Sequence, residues 1–495
     1  MRHILYNGTV FTRDAALPMI EDGAVVWEGD KILELGPRQE LLEKYPQAQR
    51  LDAKGGVIMP AFINAHHHIY SAFARGLSIP GNSPTDFLEV LEGTWWRIDR
   101  NLDLAMSRYS GYMTMIECIR SGVTTIFDHH ASFCEIPGSL SQLAEAAKDT
   151  GVRSCLCYEI SDRDGEEKSR QSVQENLNFG RQCKEDKSGL LAAMCGMHAS
   201  FTISEATMAY AREHWDGGFH IHVCEGSYDR DHCREHYNET VPERLYRHGI
   251  LGPQTICGHC VYLSDSDRQL LSGTGTAVVH NPQSNMGNAV GVTDVIKLFE
   301  AGVTVGLGTD GFTSDMLESM KHANVLIKHF NRHPSLGWNE TFAMALDNNA
   351  LLAQRHFGGT FGVLAPGASR PKLPPKWRWA SRALLSRAMA KVSFQPREGW
   401  RLKCFIRTFA CFMDSSISLV KPSVPRPTVT PASKSFITSV TPTALPMLDW
   451  GLWTTAVPVL PSSCLSESLR YTQWPQMVWG PRMPWRQRRS GTVSL

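Results

Sequence analysis

The chain has 495 residues, 42% of them apolar and 20% charged, and a formal net charge of +1. That length allows two or three domains and a large core, and the balanced charge offers no electrostatic footprint for nucleic acid or an acidic membrane. No apolar run approaches the roughly 20 residues of a membrane span, the opening Met1-Arg2-His3-Ile4 starts no apolar signal segment, and 13 cysteines without small-scaffold spacing read as reduced thiols of a cytoplasmic protein.

Residues 1–56 carry short alternating runs punctuated by Asn7-Gly8, Asp22-Gly23 and Gly29-Asp30. Such pairs supply the positive φ of tight turns, so a small N-terminal β-sheet module is expected. From Val57 the pattern changes to short apolar runs separated by helix-length segments. Strands are expected near 57–64, 124–128, 153–159, 191–198, 219–224, 255–259, 276–280 and 303–309, with helices over 105–121, 139–150, 204–214 and 264–272. Eight alternating units over about 250 residues match an α/β (β/α)8 TIM barrel. A doubly wound sheet would carry a Gly-rich phosphate turn after an early strand, and none is present. Segment 69–104, with Trp95-Trp96-Arg97, interrupts the first unit; it reads either as a lid or pocket wall or as a packed helical excursion.

Polar residues close several of these runs: His66, His67 and His68; His220 and His222, then Glu225; His259; Asp310. Barrel enzymes carry their chemistry at the C-terminal ends of the strands. His66 and His68 are two apart on a strand and point to one side, and His220 and His222 repeat that spacing, so either of the latter could complete a site. With Asp310 they form a donor set of imidazoles and one carboxylate, suited to one divalent ion, Zn2+ with Fe2+ as the alternative. Water on such an ion has a pKa near about 7 rather than about 15.7, so it attacks at neutral pH. Glu225 is placed to shuttle a proton and His259 to stabilise developing oxyanion charge. A lone His-x-His is weak evidence; it gains force from its company at successive strand ends. Cys257-Gly258-His259-Cys260 matches a redox C-x-x-C, but the next helix starts only after an N-cap at Ser264, too late to lower a thiol pKa. The zinc signature H-x-E…P-C-x-x-C of cytidine deaminases is absent. Met197-His198-Ala199-Ser200 offers no lysine to bridge two metals, which favours one.

These segments resemble the amidohydrolase superfamily, in its TRZ/ATZ-like branch of aminohydrolases and chlorohydrolases. Pro60-Ala61-Phe62-Ile63-Asn64-Ala65-His66-His67-His68 is similar to the family's P-G-x-x-N-x-H-x-H, with Ala61 for its glycine. His198-Ala199-Ser200-Phe201-Thr202, His222-Val223-Cys224-Glu225, Gly258-His259, His280-Asn281-Pro282-Gln283-Ser284-Asn285 and Gly308-Thr309-Asp310-Gly311 resemble later segments in order. Asp128-His129-His130-Ala131-Ser132 and Trp95-Trp96-Arg97-Ile98-Asp99-Arg100 resemble the SsnA-type aminohydrolases linked to selenium metabolism. The resemblance implies metal ligands at His66, His68, His222 and Asp310, catalytic roles for Glu225, His259 and Asp310, and Asp310 as acceptor of the water proton. His129, His198 and Asn281 are the expected substrate contacts.

Past residue 368 the composition shifts. Residues 369–495 hold 19 Lys+Arg against 4 Asp+Glu, 8 of the 13 tryptophans and no histidine, so residues 1–368 carry 31 basic against 45 acidic groups. The resemblance implies a returning strand that completes an N-terminal β-sandwich, where Ser369-Arg370-Pro371-Lys372 stands instead. Residues 369–495 therefore read as an aberrant basic tail, either disordered or read out of its coding frame, with the C-terminal half of the sandwich lost. The expected activity is metal-dependent hydrolysis of a non-peptide carbon–nitrogen bond, a deaminase of an amino-substituted heterocycle. Hydrolytic dehalogenation or amide hydrolysis with the same residues, and an inactive metal-binding protein, are the alternatives. The expected partner is a small-molecule substrate, without nucleic acid or membrane; self-association is left open.

Overall fold

Strands β1 (Arg2–Phe11), β2 (Met19–Glu28), β3 (Lys31–Pro37) and β4 (Gln49–Ile58) form a four-stranded sheet in the order β3-β2-β1-β4. β1 pairs antiparallel with β2 and parallel with β4. The small residues expected to make three turns make one. Gly29, at φ 60, turns the hairpin between Glu28 and Lys31, whereas Gly8 and Gly23 face each other within the paired strands, at register shifts beside Asn7 (φ 61) and Asp22 (φ 44). Left-handed residues serve a bulge as readily as a turn, so the motif alone does not separate them. The computed structural model describes residues 1–77 and 79–368. The tail expected over 369–495, and the loss of half a sandwich with it, lie outside the described residues. Up to 368 the chain does return to this sheet: Gly367 N and Ala368 O bond Ile32 of β3 at 2.8 and 3.2 Å, and Ala368 packs with Val10, Ile20 and Val25.

The next nine strands are β5 (Phe62–His67), β6 (Val123–His130), β7 (Arg153–Ile160), β8 (Leu191–Ala193), β9 (Cys195–Ala199), β10 (Phe219–Val223), β11 (Ile256–His259), β12 (Ala277–His280) and β13 (Val305–Leu307). They are parallel, in the order β5-β6-β7-β9-β10-β11-β12-β13, with β8 a short offshoot of β7. Their residues are buried almost throughout, as expected of parallel strands covered on both faces. Each expected stave is present. Two differ in extent: the run 57–64 belongs to two strands, because Met59-Pro60-Ala61 separates the end of β4 from β5 and a proline removes a ladder donor, and the run 191–198 is divided at Met194 between β8 and β9. The expected helices appear as Leu104–Arg120, Ser139–Thr150, Glu205–His214 and Asp265–Thr274, the last with a Ser264–Asp267 capping box.

The ring closes between its first and last strands. Thr309 N and Asp310 N donate to His66 O at 3.1 and 3.0 Å, and His67 and Asp310 form a parallel bridge. Buried Asn349, from the helix Asn349–Phe357, clips the same seam: Nδ2 donates to Ile63 O (2.7 Å) and Leu307 O (2.8 Å), and Oδ1 accepts from Leu307 N (2.9 Å). Removing that amide strands three buried strand groups. Asn349→Ala is therefore expected to destabilise the chain by about 3 kcal/mol, read by urea denaturation; an unchanged midpoint would show that the seam closes without the clip.

Candidate active site

Where β5 ends, alternation sends His66 and His68 into the barrel mouth and His67 the other way, toward Ser314 Oγ at 3.4 Å. His68 Nε2 lies 2.8 Å from Asp310 Oδ1 and 3.2 Å from His222 Nε2, and His66 Nε2 lies 3.6 Å from Asp310 Oδ1. Donor atoms of His66, His222 and His259 also fall within 4.8 Å of one another. His66, His68 and Asp310 thus make one close cluster, and His222 adjoins it through His66 and His68. Gly258 keeps the neighbouring wall low: a Cβ there would sit 3.5 Å from His66 and 3.6 Å from His222. Asp310 (φ 53) and His259 (φ 66) adopt the left-handed backbone region, which non-glycine residues visit at a cost and chiefly at functional sites.

The second nitrogen of each ring explains the orientation. His68 Nδ1 meets His129 O at 2.7 Å and His222 Nδ1 meets His198 O at 2.8 Å. A carbonyl only accepts, so both Nδ1 atoms carry a proton, which leaves Nε2 of each ring as the atom turned toward the cluster and the one a metal would take. His66 Nδ1 bonds His220 Nε2 at 2.8 Å. That separates the two histidines the spacing left equivalent: His222 faces the site and His220 supports His66 from below. His259 Nδ1 is held by Asn285 Oδ1 at 2.8 Å, and the second Asp310 oxygen accepts from Ser284 Oγ.

Charge tuning follows from this packing. Burial drops His66 to about 4 despite Asp310, and holds His222 well below the ordinary imidazole value, helped by neighbouring histidines. Burial opposes charge on His68 too, yet the adjacent Asp310 carboxylate raises it to about 9. The proton on His68 then supplies the positive charge that Asp310 calls for at this point. Asp310 stays well below the carboxylate range because His68 and His66 overcome its burial. Glu225 goes the other way: burial, reinforced by Asp310, pushes it well above that range. Buried His66 Nε2, His259 Nε2 and Glu225 Oε1 have no hydrogen-bond partner. The unpartnered His66 Nε2, beside two further imidazoles and the Asp310 carboxylate, is a donor set that suits a divalent cation at His66, His68, His222 and Asp310.

Beside this cluster opens a cavity walled by Trp95, Trp96, Phe201, Tyr228 and Phe312, with Glu225 and Asn288 near the ligands. Phe87, Leu91 and both tryptophans come from segment 69–104, which is a pocket wall here. Of the expected substrate contacts, His198 lines the cavity. His129 sits just behind, its donor atom within 4.8 Å of those of His68 and His222. Asn281 is placed elsewhere: it is fully buried, with Nδ2 3.5 Å from Val279 O and Oδ1 packed where Gly308 leaves room. The helix that follows it supports the site instead, through Ser284, Asn285 and Asn288. Two of these stand in the segment His280–Asn285, so the motif does mark the right stretch of chain, three and four residues beyond Asn281. Cys257 and Cys260 are buried and Cys260 is pushed well above the ordinary thiol range by burial, which disfavours thiolate chemistry.

Comparison with known proteins agrees with this fold. The family model described as "Amidohydrolase family" matches residues 57–369. A 5'-deoxyadenosine deaminase of Methanosarcina mazei is 32% identical over 372 residues, covering 74% of this chain and 82% of that protein. A 5-methylthioadenosine/S-adenosylhomocysteine deaminase of Pelotomaculum thermopropionicum is 31% identical, covering 74% and 83%. Among solved structures, an adenosine deaminase from Xanthomonas campestris with bound zinc superposes with a TM-score of 0.65 at 20% identity, covering 74% and 82%.

His66→Ala and His222→Ala proteins are each expected to lose most bound metal, measured by plasma mass spectrometry after dialysis. His220→Ala removes a support and should weaken affinity by about 10- to 100-fold. Full metal occupancy in His66→Ala would remove His66 from the ligand set.

Proposed function

The chain belongs to the amidohydrolase family, and on that premise we propose that it is a metal-dependent deaminase that hydrolyses an amino-substituted heterocycle to release ammonia. One observation carries the reading: Glu225, His259 and Asp310 bring donor atoms within 4.8 Å of one another, where burial favours a proton on Glu225 and the adjacent histidines favour ionised Asp310. Carboxyls driven apart in this way divide acid and base roles between them. A divalent cation bound by His66, His68, His222 and Asp310 supplies Lewis acidity that makes water nucleophilic at neutral pH.

Asp310 accepts a proton from the attacking water, from a position fixed by Ser284. Glu225, 3.4 Å from His259 Nε2, donates its proton to the ring nitrogen next to the amine-bearing carbon. His259, whose Nδ1–H donates to Asn285 Oδ1, keeps Nε2 as a lone pair that accepts from the attacking water and orients it. Asp310 passes the proton it took from water to the amine, which leaves as ammonia when the C–N bond breaks, and the hydroxyl oxygen becomes the carbonyl as its proton restores Glu225. Aromatic side chains of the cavity suit a flat ring, and the two deaminase relatives act, by their names, on adenine nucleosides. An aminated purine or similar heterocycle is the substrate class this supports. Zinc is the proposed ion, in line with the zinc-bound Xanthomonas structure. Unpaired cysteines throughout the described residues support the cytoplasmic location; the link to selenium metabolism rests on sequence resemblance alone.

The test is ammonia release from a panel of aminated purines and triazines, with halide measured on chlorinated analogues. Glu225→Gln is expected to keep its metal and lose about 10²- to 10⁴-fold in kcat. Wild-type turnover in that variant would end the shuttle role, halide in place of ammonia would make the chain a dehalogenase, and metal without any turnover would make it a binding protein.

A further inference from the structure

The cavity has a second polar end that the hydrolytic reading leaves unused. Asp99, from the helix Trp96–Asp99, and Glu159, near the end of β7, both line it. The Arg163 guanidinium is their shared counterion: Nη1 lies 3.4 Å from Asp99 Oδ1 and Nη2 3.5 Å from Glu159 Oε1, with a second, shorter Nη2 contact to Asp99 Oδ2. Arg163 also reaches Asp164, at 3.7 Å. It is absent from the cavity lining, and its guanidinium stacks on Trp96 at 5.1 Å and Phe133 at 4.1 Å. A ligand therefore meets the two carboxylates, with their counterion behind them.

His129, the ring set against Glu159, does not neutralise it. His129 Nε2 meets Met197 O at 2.9 Å, so Nε2 carries the proton. Its Nδ1, fully buried and without a hydrogen-bond partner, turns a bare lone pair toward Glu159 Oε2 at 3.7 Å. Burial, only partly offset by Arg163, lifts Asp99 to about 6 and Glu159 to about 7. Two carboxyls thus share one guanidinium, in a wall that also presents ring faces: Trp96 stands 6.0 Å from His198, and His198 5.7 Å from Phe201. Carboxylates framed by π-faces recognise organic cations.

We propose that Asp99 and Glu159 form a specificity subsite in this cavity, selecting substrates whose end remote from the hydrolysed carbon carries an ammonium, amidinium or guanidinium group. This deepens the deaminase reading and rests on the same cavity being the catalytic one.

Benzamidine and benzamide are flat near-isosteres that differ by the cationic charge. Titrated calorimetrically into the full metal-loaded chain, benzamidine is expected to bind about tenfold or more tighter. Asp99→Asn and Glu159→Gln, each checked for a wild-type melting transition, should erase most of that preference, while Glu225→Gln at the hydrolytic end should retain it. Equal binding by the wild type, or a preference lost in Glu225→Gln and kept in Glu159→Gln, overturns the subsite. Ammonia release without any amidinium preference overturns the subsite and leaves the deaminase; the preference without turnover of any amine does the reverse. Should Asp99→Asn fail to fold, Glu159→Gln alone decides between these outcomes.

Discussion

One backbone hydrogen bond organises the molecule: Asp310 N to His66 O, 3.0 Å long. It joins the first stave of the barrel to the last, and the two residues it joins are a histidine and the carboxylate of the proposed cation site. Residues 244 positions apart in sequence reach the same point because the sheet closes there. Gly308 permits the approach, since a Cβ at that position would stand 2.8 Å from His66 O. Closure and chemistry share one constraint, so the site's stability is the seam's stability.

Burying so many imidazoles in one barrel mouth is expensive unless each has an assigned role for both nitrogens. The chain meets this with backbone carbonyls, His129 O and His198 O, and with His220 and Asn285 as side-chain partners. Among the buried atoms left without a partner, His66 Nε2, His259 Nε2 and Glu225 Oε1 lie at this cluster. Proton affinities then diverge according to company. Asp310, among histidines, ionises; Glu225, close to Asp310 and buried, does not. Acid and base are distinguished by their surroundings, though both are carboxyls.

Much of this is legible in the residues. Strand-end histidines, Glu225 and Asp310 can be picked out because barrel staves are short apolar runs and polar residues at their ends stand out. The His66/His68 alternation gives the facing directly. Three things are not legible. The choice between His220 and His222 depends on depth along β10, which a two-residue period does not encode. Asn281 looks as suitable as Ser284 and Asn285 in the sequence, because the turn from β12 into its helix decides which polar side chain points inward. Asn349 gives no periodic signal at all, being one amide on a helix that happens to face the seam. Likewise Asn7-Gly8 and Asp22-Gly23 read as turns, yet a left-handed residue within a paired strand satisfies the same sequence rule.

The central claim is that four side chains, from the ends of β5 and β10 and the segment after β13, hold one cation. Anomalous diffraction at the metal edge, from crystals of the zinc-loaded chain, tests it most directly. The account predicts one strong peak per chain, about 2.1 Å from the His66, His68 and His222 nitrogens and from an Asp310 oxygen. A peak elsewhere, or a loaded protein in which any two of those residues stand clear of the ion, would contradict it.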